Sequence, residues 1–427
     1  MGYLKNKMIE EYDRGWSSID KNVCANCIED DDLKEFIIEH ASSTRCDYCS
    51  RHSRKKPIAV AMDELLEEIS EAVNSIWDHP DNVGIAYESR EGGYQASVFD
   101  SYDLVYDELG SPFIPEELSK DIIGAFAAGG DLWVEKHFYT SPPDGVLKYG
   151  WGKFVNVVKH RKRYLFSVAE PTPSDDIFGE DLPPDKFLSA FGSVITEVGL
   201  VRTLPANTAI YRARVHQANE FPKSAADLGT APLETSKYSN RMSPAGIPMF
   251  YGAFDRETAI VETFDPSKGH NVSITIGRFT TAREIPVLDL TKIPAIPGLF
   301  NSAARESRDS LRFLHDMLAD LSAPVSKDGR EHIDYVPTQI IAEYIRHCYK
   351  HPIHGMVRGI IYKSVKERGK TCCVLFFESE SCCDTPNGWK SAMTDYPPTQ
   401  PKWWLGLYRQ GVKRLSAPPA WAIETQI

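Results

Sequence analysis

Two groups of residues in this 427-residue sequence have the types and spacing that chemistry requires. The first group is a double C-x2-C pattern: Cys24 and Cys27 are followed, after an 18-residue gap, by Cys46 and Cys49. A C-x2-C pair places two thiolates on one side of a tight turn, and two pairs complete the tetrahedral sulfur shell that Zn²⁺ prefers. We therefore expect one structural zinc ion here, with two unrelated redox pairs or free thiols as the alternative.

The second group lies in the segment 210–264 and combines arginines, a tyrosine and a glutamate. Arg212 and Arg241 could each hold a diphosphate through forked hydrogen bonds, and Tyr251 offers a flat ring for stacking a nitrogen heterocycle. Glu262 could stabilise positive charge that develops at a sugar carbon when a glycosidic bond breaks. The same residue types also fit a surface pair of arginines and a solvated glutamate, so the residues alone leave both interpretations open.

Helical patterns dominate the chain between about residues 60 and 201. Apolar residues spaced three and four apart predict helices, in the segments 60–77, 115–126, 151–166 and 187–201.

Short apolar runs beyond residue 200 predict strands, in the segments 249–253, 272–276, 285–290, 359–362 and 373–377. Helical stripes at 311–321 and 340–345 lie between them, and Thr338 is the predicted N-cap of the second. Because strands and helices do not alternate regularly, the pattern predicts an α+β fold rather than a doubly wound sheet.

Asp255 is placed to cap a helix that carries Glu262. On that helix Ile260 and Phe264 would face the core, whereas Glu262 would share a face with Thr258. The sequence thus predicts that the candidate carboxylate stands on a short, capped helix.

Composition divides the chain into four predicted parts. These are a zinc-binding module at 1–56, a mainly helical region at 57–168, an acidic Pro-rich linker at 169–186 and an α+β domain at 187–427.

The overall composition, with 42% apolar and 25% charged residues, is typical of an ordinary soluble protein. The net charge of −12 disfavours a nucleic-acid-binding protein that neutralises phosphates over a broad surface. No apolar run is long enough to predict a membrane span, and nine cysteines without a secretion signal predict a cytoplasmic location. The signatures of zinc metalloproteases, esterases, P-loop NTPases and Rossmann dehydrogenases are missing from the sequence.

The segment SNRMSPAGIPMFYGA at 239–253, followed by TAIVE at 258–262, resembles the signature of the RES domain family, named for its Arg, Glu and Ser residues. The resemblance extends upstream to YRAR at 211–214 and downstream through VPTQIIAE at 336–343 to GIIYKS at 359–364. It covers roughly residues 200–380.

The RES family includes toxins of bacterial toxin–antitoxin pairs that degrade NAD⁺, and its fold is similar to that of ADP-ribosyltransferases. The helical region with its cysteine pairs resembles the HEPN-related segment that often precedes RES domains. The resemblance therefore implies a C-terminal ADP-ribosyltransferase-like domain behind a HEPN-like region.

Position by position, Arg212 and Arg241 match two family arginines, Tyr251 the tyrosine that closes the next strand, Glu262 the helix glutamate and Ser364 the late serine. The resemblance implies that the arginines hold the NAD⁺ phosphates and that Tyr251 packs near the nicotinamide. Glu262 would support nicotinamide departure, and Ser364 would hydrogen-bond the ribose, the dinucleotide phosphates or an incoming phosphate.

Two features depart from the family pattern. Met242 stands where an aromatic residue usually follows the second arginine, and the segment 221–239 lengthens the gap between the arginines. Both differences bear on the rim of the expected pocket or on its preferred acceptor.

The resemblance implies an enzyme that cleaves the nicotinamide–ribose bond of NAD⁺ by phosphorolysis or hydrolysis. Such a toxin or defence effector would have an inhibitory antitoxin or regulatory protein as a partner. A mono-ADP-ribosyltransferase that modifies a macromolecule and a HEPN-type RNA-binding protein or RNase are the alternatives, and a homo-oligomer stays open. The segment 159–163 has its arginine and histidine in the reverse of the usual HEPN nuclease order, which disfavours the last.

Overall fold

The computed structural model describes residues 9–11, 14–90, 92–128, 131–167, 182–265, 272–322, 329–385, 403–419 and 421–422. The chain folds as two compact units. Unit 1 comprises Met1–Pro143 and Ala295–Asp309, and unit 2 comprises Asp144–Pro294 and Ser310–Ile427. The predicted linker at 169–186 lies outside the described residues as far as residue 181.

Besides the helical residues 9–11, unit 1 contains five α-helices and six short strands in its described part. The helices are α1 (Asp31–His40), α2 (Met62–Val73), α3 (Pro80–Val83), α4 (Ser101–Asp103) and α5 (Glu116–Ala127). The strands form three antiparallel pairs, β1 (Asn22–Cys24) with β2 (Ala59–Ala61), β3 (Trp77–Asp78) with β6 (Val134–Glu135), and β4 (Tyr87–Glu88) with β5 (Gly93–Tyr94).

Helix α1 begins where Asp30 accepts a hydrogen bond from the Leu33 amide at 3.0 Å. The apolar stripe predicted at 60–77 is buried on α2, where it packs with α5 and the cysteine pairs in one core. The returning segment Ala295–Asp309 joins this unit through Arg305, which donates to the Glu68 carboxylate at 2.8 Å. Unit 1 is therefore completed by residues far along the chain.

Unit 2 is built around a ten-stranded mixed sheet. Its strands are β7 (Val201–Leu204), β8 (Ala209–His216), β9 (Phe250–Ala253), β10 (Ser273–Thr281), β11 (Ile285–Asp289), β14 (Gly359–Lys363), β15 (Thr371–Leu375), β16 (Cys382–Thr385), β17 (Leu405–Tyr408) and β18 (Lys413–Leu415). Their order across the sheet is β16-β17-β10-β8-β9-β15-β14-β11-β7, and β18 also pairs with β10. A separate two-stranded pair joins β12 (Lys350–His351) to β13 (Gly355–Met356).

The helices of unit 2 are α6 (Pro143–His160), α7 (Pro184–Val198), α8 (Ala225–Leu228), α9 (Arg256–Thr263), α10 (Arg308–Ser322), α11 (Glu331–Asp334) and α12 (Val336–His347). Aromatic residues of α6, α7 and α10, among them Phe154, Phe187 and Phe313, pack into one core with α12 and the strands β14 and β15. Ala259 and Ile260 of α9, together with Phe264 directly after it, pack against β8, β9 and β10 in a second core. The helix that bears Glu262 is therefore packed directly on the sheet.

The observed elements confirm the predicted α+β class, with a helical N-terminal region and a C-terminal sheet domain. All five predicted strands are present with shifted ends. Thr338 is not the N-cap: α12 begins at Val336 after Tyr335, and the Thr338 hydroxyl donates to the Tyr335 carbonyl at 2.8 Å from inside the first turn. In the described part of the chain, no helix is both long and apolar enough to cross a membrane.

Candidate functional site

The four predicted metal ligands lie together in unit 1. The Sγ–Sγ distances are 3.9 Å between Cys24 and Cys27, 3.6 Å between Cys24 and Cys49, and 3.7 Å between Cys27 and Cys46. A tetrahedral zinc ion with Zn–S bonds of about 2.3 Å separates its sulfurs by about 3.8 Å. The cluster therefore has the spacing of a four-sulfur metal site.

Local hydrogen bonds hold the two cysteine pairs in place. Cys24 ends β1, and the second pair lies in a loop whose Asp47 carboxylate accepts from the Asn22 amide at 2.7 Å. Burial raises the pKa of the Cys24 thiol to about 11. A bound cation would favour the thiolate forms that a metal site requires.

Tyr251 is the centre of the candidate active site in unit 2. Its hydroxyl lies 3.0 Å from the Ser243 hydroxyl, and its backbone carbonyl accepts a hydrogen bond from Arg212 Nη1 at 3.3 Å. Burial raises the pKa of Tyr251 to about 12, opposed by the Ser243 hydrogen bond and by the nearby charge of Arg212. The phenol is therefore neutral at physiological pH and can donate a hydrogen bond.

Glu262 and Ser364 contact each other directly, although 102 positions separate them. Asp255 caps α9 by accepting from the Thr258 amide at 2.8 Å, as predicted. Ser364 follows β14 and donates its hydroxyl to Glu262 Oε1 at 2.5 Å. Burial raises the pKa of the Cys372 thiol on β15, and the nearby charge of Glu262 raises it further.

Tyr362 is a neighbour of both Tyr251 and Glu262. Burial raises its pKa well above the usual value, and the neighbouring Tyr251 and Glu262 raise it further. Tyr362 pairs with Cys372, and Tyr251 pairs with Val374 two residues along the same strand. Alternate residues of a strand share a face. The side chains of Tyr251, Tyr362, Cys372 and Val374 therefore lie on one side of the sheet.

Arg212 lies on the other side of its strand. Tyr211 pairs with Ala253, so alternation places the Arg212 side chain on the opposite face, with its guanidinium 5.1 Å from the Phe250 ring. Burial lowers the pKa of Arg212. Arg212 and Glu262 form no hydrogen bond or ion pair with each other, and Arg212 reaches the carboxylate side only through the Tyr251 carbonyl.

Arg241 contacts α10 and α12. It lies in the turn before β9, where its guanidinium donates to the Leu321 carbonyl and its own carbonyl accepts from Thr338. The guanidinium is 6.0 Å from the ring of Tyr335, whose charge acts to raise the pKa of Tyr251. Arg241 is thus held between the end of α10 and the first turn of α12.

The structure therefore places Tyr251, Glu262 and Ser364 on one side of the sheet. Arg212 contacts the Tyr251 carbonyl, whereas Arg241 contacts α10, α12 and Tyr335. The sequence interpretation missed Ser243, Tyr362 and Cys372. Ser243 and Tyr362 stand inside the segments that carry the family resemblance, two residues from Arg241 and from Ser364. Their positions next to predicted site residues were the available signal.

Two cavities lie away from these residues. One of about 820 Å³ in unit 1 is lined by Cys24, Lys34 and Ile38 among others. The other, of about 320 Å³ in unit 2, is lined by residues including Arg346 and Trp404. Neither cavity is lined by a predicted active-site residue.

Comparison with protein-family models matches residues 39–172 to HEPN/RES N-terminal domain 1 and residues 209–385 to the RES domain. The chain therefore contains a RES domain preceded by a HEPN/RES N-terminal domain, as the sequence resemblance predicted. All five candidate active-site residues fall in the RES match, whereas Cys24 and Cys27 precede the N-terminal match. No curated protein and no solved structure matches the chain.

Proposed function

We propose that the RES domain cleaves the nicotinamide–ribose bond of NAD⁺ and passes the ADP-ribosyl group to phosphate or water. The main support is the Glu262 carboxylate, which Ser364 holds at 2.5 Å on the side of the sheet that carries Tyr251 and Tyr362. A hydrogen-bonded carboxylate beside aromatic rings suits a reaction in which a sugar becomes cationic as a flat heterocycle departs.

The leaving group explains why one carboxylate is enough. Nicotinamide leaves as a neutral base from an already cationic bond, so its departure needs no general acid. Glu262 would stabilise the oxocarbenium-like transition state, a contribution of roughly 10²–10³ in rate for a single well-placed group. Phosphate attack on the ribosyl carbon gives ADP-ribose 1″-phosphate, and attack by water gives ADP-ribose and a proton.

Arg241 would bind the anionic part of the dinucleotide, because a guanidinium has five N–H donors in a fixed fork that suits a diphosphate. The Arg212 side chain lies on the face of the sheet opposite Glu262. Arg212 would therefore support the site through the Tyr251 carbonyl, to which it donates at 3.3 Å.

In unit 1, we propose that the cysteine cluster holds one structural zinc ion. Four sulfurs at tetrahedral spacing leave no open ligand position, which suits a stabilising rather than a catalytic role. Metal binding would stabilise the folded form of the loops that contain Cys24, Cys27, Cys46 and Cys49.

In a bacterial cell, such an enzyme would act as a toxin or defence effector and would need an inhibitory partner. Expression of the wild-type chain should lower cellular NAD⁺ and arrest growth, whereas the Glu262→Gln chain should do neither. Growth arrest of equal depth by both chains would contradict this role.

The direct test incubates purified full-length protein with NAD⁺, with and without phosphate, and follows nicotinamide, ADP-ribose and ADP-ribose 1″-phosphate by chromatography. Phosphate-dependent formation of the 1″-phosphate would establish phosphorolysis, and free ADP-ribose would establish hydrolysis. Labelled ADP-ribose on a macromolecule would indicate a transferase instead. Wild-type activity in both Glu262→Ala and Arg212→Ala would show that the site is assigned wrongly.

A further inference from the structure

The loop 364–370, which connects β14 to β15, contacts α9 near both of its ends. The loop is closed by a hydrogen bond from the Ser364 amide to the Lys370 carbonyl at 2.8 Å. Lys366 of the loop contacts the C-terminal end of α9, and Glu367 contacts its N-terminal end.

At the C-terminal end of α9, the Lys366 ammonium donates to three backbone carbonyls. The distances are 2.8 Å to Val261, 3.1 Å to Glu262 and 3.2 Å to Phe264. The last carbonyls of a helix have no partner within the helix and carry the negative end of its dipole. Lys366 therefore caps the turn from which the Glu262 side chain projects.

At the N-terminal end, Glu367 contacts the first turn of α9. Its carboxylate accepts a hydrogen bond from the Thr258 hydroxyl at 2.8 Å, and that hydroxyl also lies 2.9 Å from the Asp255 carboxylate. Lys370 lies 3.5 Å from the same Asp255 carboxylate. The loop thus holds the capping residue of α9 as well as its last turn.

Ser364 connects the loop to the carboxylate itself. Its hydroxyl donates to Glu262 and accepts from the Glu367 amide at 3.0 Å. A hydroxyl has one proton, so the proton that Ser364 gives to Glu262 is not available to a substrate. In this arrangement Ser364 orients the carboxylate.

We propose that the loop 364–370 is a clamp that fixes the position and rotamer of Glu262. Lys366 is a positioning residue that holds the helix end, and Ser364 orients the carboxylate instead of serving as a ligand of the dinucleotide. The catalytic consequence rests on the proposed NAD⁺ cleavage. A displacement of about 1 Å from the productive geometry can cost about 10²-fold in rate, so loosening the clamp lowers kcat more than it changes KM.

The first experiment measures nicotinamide release by Lys366→Met, which keeps the apolar stem and removes the ammonium. Its control is Lys363→Met, because Lys363 is exposed at the end of β14. We expect kcat to fall about tenfold or more for Lys366→Met with KM within about twofold, recovery in Lys366→Arg, and wild-type kinetics for Lys363→Met. An unchanged kcat would overturn the clamp.

A double-mutant comparison separates positioning from general damage. Once Glu262→Gln has removed the carboxylate, adding Lys366→Met should lower kcat by less than about a further twofold. The charged group that Lys366 positions is then absent. A loss as large in that background as in the wild type would overturn the proposed role of Lys366.

Amide hydrogen exchange tests the clamp without any reference to activity. Exchange in the segment 256–264 should become about tenfold faster in Lys366→Met than in Lys363→Met. If Lys366→Met does not fold, Glu367→Gln tests the other end of the helix by the same readout. Unchanged exchange would overturn the clamp even in an active enzyme, whereas inactive wild-type protein with the expected exchange would overturn only the proposed NAD⁺ cleavage.

Discussion

The two units bring their chemically active residues together by different means. In unit 1, Cys24 and Cys49 are 25 positions apart, and two tight turns bring their sulfurs to 3.6 Å. In unit 2, Glu262 and Ser364 are 102 positions apart and meet because strand pairing brings β14 beside β15 and, through it, to β9 and α9. A local cluster thus depends on short-range spacing, whereas the distributed site depends on the whole sheet.

The largest expected effect is metal removal from unit 1. Structural zinc sites contribute apparent free energies of about 10–16 kcal/mol, so a chelator should abolish the exchange protection of α1 and β1. We expect about one zinc per chain by metal analysis and loss of that zinc in Cys46→Ser, because Cys46 is a buried member of the cluster. Cys348→Ser, which changes an exposed cysteine outside the cluster, should keep its metal.

Metal removal also tests the contrast between the units. Unit 2 owes its fold to the sheet, so its strands should keep their exchange protection in the chelated protein. Equal loss of protection in β8 and β10 would show that the contrast is wrong.

Arg305→Met should be the next largest change. It leaves Glu68 buried without its cation, and breaking one side of a buried ion pair typically costs about 3–5 kcal/mol. Thermal unfolding and exchange in α2 would measure the loss. Arg414→Met, at a largely exposed arginine of unit 2, should leave α2 unchanged.

The cost of Arg305→Met should depend on pH with a defined sign. Burial already raises the pKa of Glu68 above 4.5, and Arg305 opposes that shift while Glu71 adds to it. Without Arg305 the folded-state pKa rises further, so the variant keeps its stability below about pH 4.5 and loses it as the pH rises through the new value. A loss that is the same at pH 4 and pH 8 would contradict this account.

Glu262→Gln should have the third largest effect, confined to catalysis. Removing one group that stabilises transition-state charge costs about 10²–10³ in kcat, and nicotinamide release measures it. Glu257→Gln is the matched control, because Glu257 is exposed on the same helix. Equal activity of the two variants would remove Glu262 from the proposed mechanism.

Asp30→Ala should have the smallest effect. Loss of an N-cap typically costs about 1 kcal/mol, and Asp30 caps α1 through the Leu33 amide. Denaturant unfolding should show that loss in the metal-bound protein. Asp30→Asn, which retains a capping oxygen, should stay close to the wild type, and a deficit as large as that of alanine would contradict a capping role.

The sequence predicted best where the relevant contacts are local. The spacing of the cysteine pairs predicted the cluster, apolar periodicity predicted α2 and α10, and Asp255 was recognised as a cap because an N-cap bonds to an amide three residues away. Thr338 failed as a predicted cap because α12 begins two residues earlier, at Val336, and its hydroxyl contacts the Arg241 carbonyl, 97 positions away.

The relative placement of the active-site residues was not available from local patterns. The alternating apolar and basic residues at 210–214 are typical of a strand, but they do not show which face of the sheet each side chain occupies, because that depends on pairing Tyr211 with Ala253. Nor does any local pattern show that Arg305 pairs with Glu68, 237 positions earlier. Both facts are set by tertiary structure alone.

The return of Ala295–Asp309 to unit 1 has a consequence for the order in which the protein is made. The ribosome completes the first 294 residues before it reaches the segment that supplies Arg305 to the buried Glu68. A nascent chain folds from its N-terminus as residues emerge, yet here the first unit waits for residues encoded after much of the second. Unit 1 therefore has all its residues only after Asp309 has been made, and a chain cut short near its middle leaves neither unit finished.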